Sequence, residues 1–329
     1  MIFERIPISR EMFMEAKEKG VTLSDLMKKS EKFNRESRLS PLQQQLAARG
    51  LALSGAHAAL IEEFYRTEDN RILFVETINE MVRLGMDEQV KSFAKLTDLT
   101  ATRTGILGGV YESAEVDVAN STASARRVSE GADFPTVKIK FKDKAIKIAK
   151  HGYKLEASYE TIRRMKINVF AVTMKVIGRN IAQDKIKDAI DVLINGDGNS
   201  NPIGTVSAAT AGTLAYIDVV NLEEAFEHFD PNLMLSSRDM RVKYKTLAEY
   251  KDKNGPAMPE PPLKSAGMPA GKIIALDNKA ALEEVYEKGG SLVEYDKIID
   301  KQLENAVISE VSGWSILFRD AAKMLVVTA

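Results

Sequence analysis

The chain has 329 residues, of which 44% are hydrophobic and 7% aromatic, so it can bury sizeable cores and is not disordered throughout. Its 46 basic and 47 acidic residues leave a net charge of -1, without the basic excess that is usual in proteins that bind nucleic acid tightly. Cysteine is absent, which excludes disulfides, thiolate metal sites and cysteine nucleophiles. The length predicts two domains, or one domain with extensions, and the lack of a signal-peptide core or a long apolar run predicts a soluble protein made in a cytoplasm.

Residues 1 to about 50 are polar and charge-mixed, and they predict an N-terminal arm of short helices. Ser40 followed by Pro41 is typical of a helix start. Apolar positions are too sparse for these helices to form a core of their own, so they need a partner surface or stay mobile. Residues 51–90 carry a denser apolar set, which predicts helical turns packed on the main body and a boundary near Gly85.

The section from 113 to 155 predicts a two-stranded β-ribbon. Apolar residues alternate with lysines, which is the period of a strand with one charged face, and Asp143-Lys144 offers a tight connection between two such runs. The apolar positions are Val137, Ile139, Phe141, Ile146 and Ile148, and the lysines are Lys138, Lys140, Lys142, Lys144 and Lys147. Because an isolated ribbon is marginally stable in water, its apolar face must be covered, either within the subunit, as in an ordinary hairpin, or by a neighbouring subunit.

The stretch from Ser158 to Asn195 predicts one long helix. Its apolar residues recur in steps of three and four, Ser158 suits an N-cap, and Asn195-Gly196 is typical of a helix stop. Such a helix would be about 55 Å long, comparable with the width of a compact globule of this size. The alternative is two ordinary helices broken at Gly178.

The glycine-rich turn at 196–204 predicts a helix terminator and no ligand site. Its glycines match neither a dinucleotide-binding fingerprint nor a phosphate loop. Asp197 and Asn199 could touch a metal, but the further ligands of a calcium loop are missing. The following residues, 206–305, predict a mixed α/β domain that includes a helix starting at Asn221 and a strand at Leu233–Leu235, and the tail predicts two strands joined near Arg319-Asp320.

No constellation of residues indicates an enzyme. None of the three histidines, at positions 57, 151 and 228, has a partner at zinc-site spacing, and there is no nucleophile elbow. The glutamates near His228 are typical of a solvated helix face. We therefore predict no catalytic, cofactor-binding or metal-binding residues and no cofactor.

The order of these parts is informative in itself. An arm, a charged ribbon, a long helix, a G-D-G-x-x-x-P-x-G turn, an α/β domain and terminal strands follow one another. This order resembles the Hong Kong 97-like family of tailed-bacteriophage major capsid proteins. The resemblance covers roughly residues 60–329, and its residues are EGADFPTVKIKF with HGYKLEASYETI, AIDVLINGDGNSNPIGT, LMLSSRDMRVKYKTLAEYKDKNG and WSILFRDAAKMLVV.

The resemblance implies an α+β, Hong Kong 97-like capsid fold with four parts. These are a scaffold-like N-terminal arm (1–60), a peripheral domain with the spine helix (61–112, 156–205 and 306–329), an extended loop formed by the ribbon (113–155) and an axial domain (206–305). It also implies that the ribbon lies across a neighbouring subunit. The expected inter-subunit contacts are Val137, Lys138, Ile139, Lys140, Phe141, Lys142, Lys144, Ile146, Lys147 and Ile148.

The function that the resemblance implies is self-assembly into an icosahedral shell around packaged double-stranded DNA. The expected partners are other copies in pentamers and hexamers, a portal, a scaffold or maturation protease, decoration proteins and weakly contacted DNA, with no membrane. The expected location is the virion, after assembly in the host bacterial cytoplasm. Two alternatives stay open: an encapsulin-type shell around a protein cargo and a monomeric α/β enzyme. Some family members join subunits by an isopeptide bond, for which a ribbon lysine with Asn278 or Asn305 is conceivable here, although no residue-level match supports it.

Overall fold

The computed structural model describes residues 3–19, 21–88, 90, 92–116, 139–252, 258–288, 293–298 and 303–327. The helices are α1 (Arg10–Glu18), α2 (Leu23–Met27), α3 (Pro41–Ala48), α4 (Ile61–Phe64), α5 (Glu68–Met86), α6 (Leu96–Leu99), α7 (Tyr159–Arg164), α8 (Ile167–Asn195), α9 (Tyr216–Glu224), α10 (Arg238–Thr246) and α11 (Ala248–Lys251). The strands are β1 (Thr102–Ile106), β2 (Ala114–Val116), β3 (Ile139–Phe141), β4 (Ile148–Ser158), β5 (Gly204–Ser207), β6 (Leu233–Ser236), β7 (Leu263–Lys264), β8 (Lys272–Leu276), β9 (Leu282–Glu287), β10 (Val293–Ile298), β11 (Leu303–Ile316) and β12 (Ala322–Val326). This content confirms the α+β class. Within the described ranges, none of the helices is both long and apolar enough to cross a bilayer.

The chain divides into two compact units. Unit 1 comprises Met1–Glu88, Lys150–Ala182 and Glu287–Val311, and unit 2 comprises Gln89–Ala149, Gln183–Tyr286 and Ser312–Ala329. Helix α8 and strands β4, β9 and β11 have residues in both units. The four-part division expected from the resemblance has other boundaries, and it stays a prediction.

The described residues of unit 1 form an apolar core, to which the N-terminal segment contributes. Buried core residues include Ile6, Leu23, Met27, Leu42 and Leu46 from that segment and Phe74, Ile78, Phe170 and Met174 from α5 and α8. The predicted helix start at Ser40 is confirmed, since its side chain accepts a hydrogen bond from the backbone N–H of Gln43. The short helices thus find within their own subunit the partner surface that they need.

The predicted long helix is interrupted near its start. Ser158 ends β4, α7 covers one and a half turns, and α8 begins only at Ile167. The cause is a tertiary contact: the N–H of Ile61 donates to the carbonyl of Met165 at 3.0 Å, and the N–H of Ile167 donates to that of Ala59 at 2.9 Å. Because these backbone groups bond another segment, they are lost to the helix ladder. The remaining 29-residue helix is about 43 Å long.

Gly178 lies inside α8 and does not break it. A Cβ atom on Gly178 would lie 2.0 Å from the carbonyl oxygen of Val82, and one on Gly85 would lie 2.1 Å from that of Lys175. Helices α5 and α8 therefore cross at a distance that only glycine allows at these two positions. The alternative of a helix broken at Gly178 is wrong, and the residue instead permits close packing in unit 1.

Unit 2 contains a five-stranded sheet in the order β5-β12-β8-β6-β7. Strand β12 pairs parallel to β5 and antiparallel to β8, and β6 pairs antiparallel to β8. Alternate residues serve two cores: Ile274 and Met324 face one that includes the end of α8, whereas Ile273 and Leu325 face one that includes α9 and α10. The predicted strand at 233–235 and the two terminal strands are confirmed, whereas the helix expected from Asn221 already begins at Tyr216.

The ribbon pairs differently from the prediction. Strand β3 pairs antiparallel with β2, with Ala114 opposite Phe141, and does not fold back onto residues 146–148. The same strip of chain continues to a bridge between Tyr111 and Ile146. Between these two pairs the register shifts by two residues, so Asp143-Lys144 forms a bulge within one run. The predicted tight connection at Asp143-Lys144 is therefore wrong.

Candidate assembly element at the ribbon base

Residues 111–116 and 139–148, which we call the ribbon base, are anchored by a buried lysine. The side chain of Lys142 is fully buried, and its Nζ donates to Asp197 Oδ2 at 2.5 Å. The same ammonium donates to Ser315 Oγ at 2.8 Å and to the carbonyl of Ile316 at 2.6 Å. An ammonium group has three donors, so all of them are used. The cost of burying this charge is thereby offset by a complete set of acceptors.

Asp197 is held in turn by the glycine turn that follows α8. Gly196 has φ +86°, the left-handed conformation that ends the helix, and the next residue points its carboxylate inward. Besides Lys142, the carboxylate accepts from the N–H of Ile316 at 3.2 Å and from Asn199 Nδ2 at 2.9 Å. Burial raises the pKa of Asp197, but the hydrogen bond and charge of Lys142 and the bond from Asn199 outweigh it, so the pKa lies below its ordinary value.

Asn199 explains the bulge. Its Oδ1 accepts from the backbone N–H of Lys144 at 2.8 Å, and its Nδ2 donates to the carbonyl of the same residue at 3.2 Å. One amide side chain thus satisfies both backbone groups of Lys144, which the β-ladder leaves unpaired at the bulge. The turn that was predicted to be a helix terminator therefore also fixes the path of the ribbon base.

A second buried carboxylate lies on the other side of Ser315. Ser315 Oγ donates to Ser113 Oγ at 2.9 Å, and Ser113 Oγ donates to Glu283 Oε2 at 3.1 Å. Glu283 Oε1 accepts from Tyr111 at 2.9 Å and from Thr104 at 2.5 Å. Burial, together with the adjacent Glu283 carboxylate, raises the pKa of Tyr111. A continuous polar network therefore runs from the ammonium group to this carboxylate.

The arrangement can position a segment of chain. Six separate parts of the sequence meet at the network: strand β1, the strip before β2, the ribbon, the turn after α8, strand β9 and strand β11. Every polar group named here has a partner, which is the condition under which a buried network rigidifies a structure. Within the described residues, no group of three or more His, Asp or Glu side chains is arranged to hold a metal ion.

The predicted contact residues differ in how far they are buried within the subunit. Lys142 and Ile146 are buried within the subunit, where the Lys142 ammonium pairs with Asp197. Their burial does not support a contact with a neighbour, which stays a prediction for these two residues. Phe141 is 74% exposed. Four further positions are exposed or half-buried and remain predictions: Lys140, Lys144, Lys147 and Ile148. Ile139 lies in β3, and Val137 and Lys138 lie outside the described residues.

Sequence reasoning missed the partners of Lys142 and two exposed apolar side chains. Leu107 and Val110, 86% and 70% exposed, lie in the loop that leads into the ribbon base. An apolar pair beside two glycines in the sequence is the signal that could have drawn attention to this loop. The local sequence around Asp197 does not indicate its lysine partner, because the two residues lie 55 positions apart in the chain.

Comparison with known proteins agrees with this architecture. The family model described as phage capsid protein matches residues 141–302, about half of the chain. The capsid of a native GTA particle is similar with a TM-score of 0.52 and 14% identity, over 74% of this chain and 95% of that one. The procapsid of satellite phage P4 is similar with a TM-score of 0.51 and 9% identity, over 77% and 90%. No curated protein matches the chain.

The chain is a phage-type capsid protein with the Hong Kong 97-like fold. The match begins at Phe141, so Lys142, Asp197 and Glu283 of this capsid protein all lie inside the matched segment. An encapsulin from Synechococcus elongatus PCC 7942 is similar with a TM-score of 0.49 and 14% identity, over 74% of this chain and 94% of that one, a likeness too weak to bear on function.

Proposed function

We propose that this capsid protein is the major head subunit of a tailed bacteriophage and assembles, through pentamers and hexamers, into an icosahedral shell around packaged double-stranded DNA. The observation that carries the proposal is the phage capsid match of residues 141–302 in a chain with a capsid fold. Assembly in a host bacterial cytoplasm, with a portal, a scaffold or maturation protease and decoration proteins, belongs to the same proposal. The role is structural and needs no catalytic residue or cofactor.

The ribbon would supply one of the contacts between subunits. Rings of five or six subunits close through heterologous contacts, in which two different surfaces of the chain meet. Phe141, Leu107 and Val110 are the most exposed large apolar side chains of the described residues, and all three lie on or beside the ribbon base. Burying about 400 Å² of apolar surface on a neighbour would stabilise the contact by about 10 kcal/mol before ordering costs. The exposed ribbon lysines would set register more than strength.

Electron microscopy tests the shell directly. Closed icosahedral particles are expected from the expressed protein, and nuclease-protected DNA is expected in particles purified from the cells that produce them. Particles that hold a protein cargo in place of DNA would identify an encapsulin-type shell. A protein that stays monomeric at high concentration and never forms particles would contradict the proposal.

Phe141→Ser tests the ribbon contact. Because the side chain is 74% exposed in the subunit, the change should alter the free energy of unfolding of the unassembled protein by less than about 0.5 kcal/mol. Assembly should nevertheless fall sharply, since the contact loses a buried aromatic ring. Phe141→Leu is the matched control and should still assemble. Normal yields of particles from the serine variant, measured by sedimentation, would show that this residue is not part of a contact.

A further inference from the structure

Two carboxylates of α5 face the starts of the short N-terminal helices in unit 1. Glu76 and Glu80 lie one helical turn apart, and Glu76 is only 3% exposed. Glu76 Oε1 accepts from the backbone N–H of Ser24, in the first turn of α2, at 3.1 Å. Glu80 Oε1 accepts from the hydroxyl of Ser40, the N-cap residue of α3, at 3.3 Å. These two side chains therefore form hydrogen bonds that link α2 and α3 to α5.

Among the residues that the structure describes, no cation forms an ion pair with either carboxylate. The cation that acts on Glu76 is Arg83, on α5 itself. The cation that acts on Glu80 is Lys28, at the end of α2. The ammonium of Lys28 lies 2.9 Å from Asp25 and is engaged there. Among the described residues, the buried Oε2 of Glu80 has no hydrogen-bond partner. The two glutamates also repel each other, so holding both as carboxylates in this place is unfavourable.

The pKa values follow from this environment. Burial raises the pKa of Glu76 and outweighs the hydrogen bonds from Ser24 and Asn79, which lower it. Burial and the charge of Glu76 likewise raise the pKa of Glu80, although the bond from Ser40 opposes them. A carboxyl group whose pKa is raised in the docked state binds a proton more readily there than in the undocked state. Docking is therefore favoured as the pH falls through the raised values and disfavoured above them.

We propose that Glu76 and Glu80 make the docking of α2 and α3 on α5 dependent on protons, so that proton uptake tightens the N-terminal segment and proton loss loosens it. The segment is not held by these groups alone, because Leu23, Met27, Leu42 and Leu46 are buried in the core of unit 1. The titration therefore modulates a docking that apolar burial already favours. Each proton taken up can change the docking equilibrium by up to about tenfold per pH unit.

Hydrogen exchange of the full chain tests the proposal. Protection of the amides of residues 22–50, corrected for the intrinsic exchange rate, should rise as the pH is lowered from about 8 towards the ordinary glutamate pKa of about 4.3. In the double variant Glu76→Gln with Glu80→Gln, protection should be high at the upper pH and should change little with pH. Glu62→Gln, an exposed glutamate of α4, is the control and should keep the pH dependence of the unmodified protein.

Two results would overturn the proposal. One is protection of residues 22–50 that does not change with pH in the unmodified protein. The other is a double variant that retains the original pH dependence. If the double variant does not fold, Glu80→Gln alone, at the less buried of the two positions, should reduce the slope, and an unchanged slope in that variant would equally refute the idea.

Discussion

Lys142→Met should destabilise unit 2 by several kcal/mol. The substitution keeps a long apolar stem but removes the ammonium group, which leaves the Asp197 carboxylate buried without its cation. Removing one partner of a buried ion pair costs about 3–5 kcal/mol. Because a domain is stable by only about 5–15 kcal/mol, we expect the midpoint of thermal unfolding to fall by roughly 6 °C or more.

The single tryptophan makes the measurement specific. Trp314 is the only tryptophan of the chain, is 2% exposed and lies in a core of unit 2, on the strand that carries Ser315 and Ile316. Its fluorescence during urea unfolding of the unassembled subunit should therefore report on the region of the pair. Lys144→Met is the matched control. Its side chain is exposed and only its backbone bonds Asn199, so its effect should stay within about 0.5 kcal/mol.

A double-mutant cycle separates the pair from the rest of the site. Asp197→Asn alone should also cost about 3 kcal/mol, because it leaves the ammonium buried without a counter-charge. Combined with Lys142→Met, it leaves no uncompensated charge and keeps an acceptor for the N–H of Ile316, so the double variant should cost clearly less than the sum of the two single variants. Single costs below about 1 kcal/mol, or strict additivity, would refute the reasoning.

The pH dependence supplies an independent check with a defined sign. The pKa of Asp197 is lowered in the folded subunit, so its contribution to stability is present above the ordinary carboxyl pKa and is lost as the pH falls through the lowered value. In the Lys142→Met variant, burial is no longer opposed by the ammonium group, so the pKa of this carboxyl should rise. The folded variant then gives up little or none of its stability through this carboxyl when the pH falls, so the destabilisation caused by the substitution should shrink on acidification. Identical acid profiles for the two proteins would contradict this account.

Two further substitutions test the packing and the polar network. Gly178→Ala should destabilise unit 1 by about 1–3 kcal/mol in thermal unfolding, because its Cβ would meet the carbonyl oxygen of Val82 at 2.0 Å and no side-chain rotation can relieve a backbone contact. The control Asn180→Ala, at an exposed position of the same helix, should be neutral or stabilising. Equal effects of the two substitutions on the free energy of unfolding would contradict the close crossing of α5 and α8. Glu283→Leu should lower the free energy of unfolding in urea by about 2 kcal/mol or more, since three hydroxyl donors lose their acceptor. The control Glu287→Leu, at the exposed end of the same strand, should change the free energy of unfolding by less than about 0.5 kcal/mol. A similarly small change at Glu283 would contradict a stabilising role of the network.

Sequence patterns predicted those features that depend on neighbours along the chain. The helix start at Ser40, the helix stop at Gly196 and the two terminal strands all follow from capping, glycine geometry or period-two burial, which act over a few residues. The order of the parts also carried the resemblance to capsid proteins that the family match and the fold bear out. The partner of β3 was predicted wrongly, because alternation identifies a strand but does not say which segment it pairs with.

The sequence by itself therefore determined the α+β class, the helical or extended character of most segments and the capsid family, because these features follow from local sequence patterns and from the order of the segments. Only the tertiary structure decided that Lys142 points inward, that Gly178 is a crossing and not a break, and that the long helix begins at Ile167. Each of these depends on a contact between distant residues, such as the one between Lys142 and Ser315, 173 positions apart. The alternating pattern is the same whether a lysine side chain is exposed to water or buried against a carboxylate. Burial and charge compensation in the folded chain determine which of the two environments the side chain occupies.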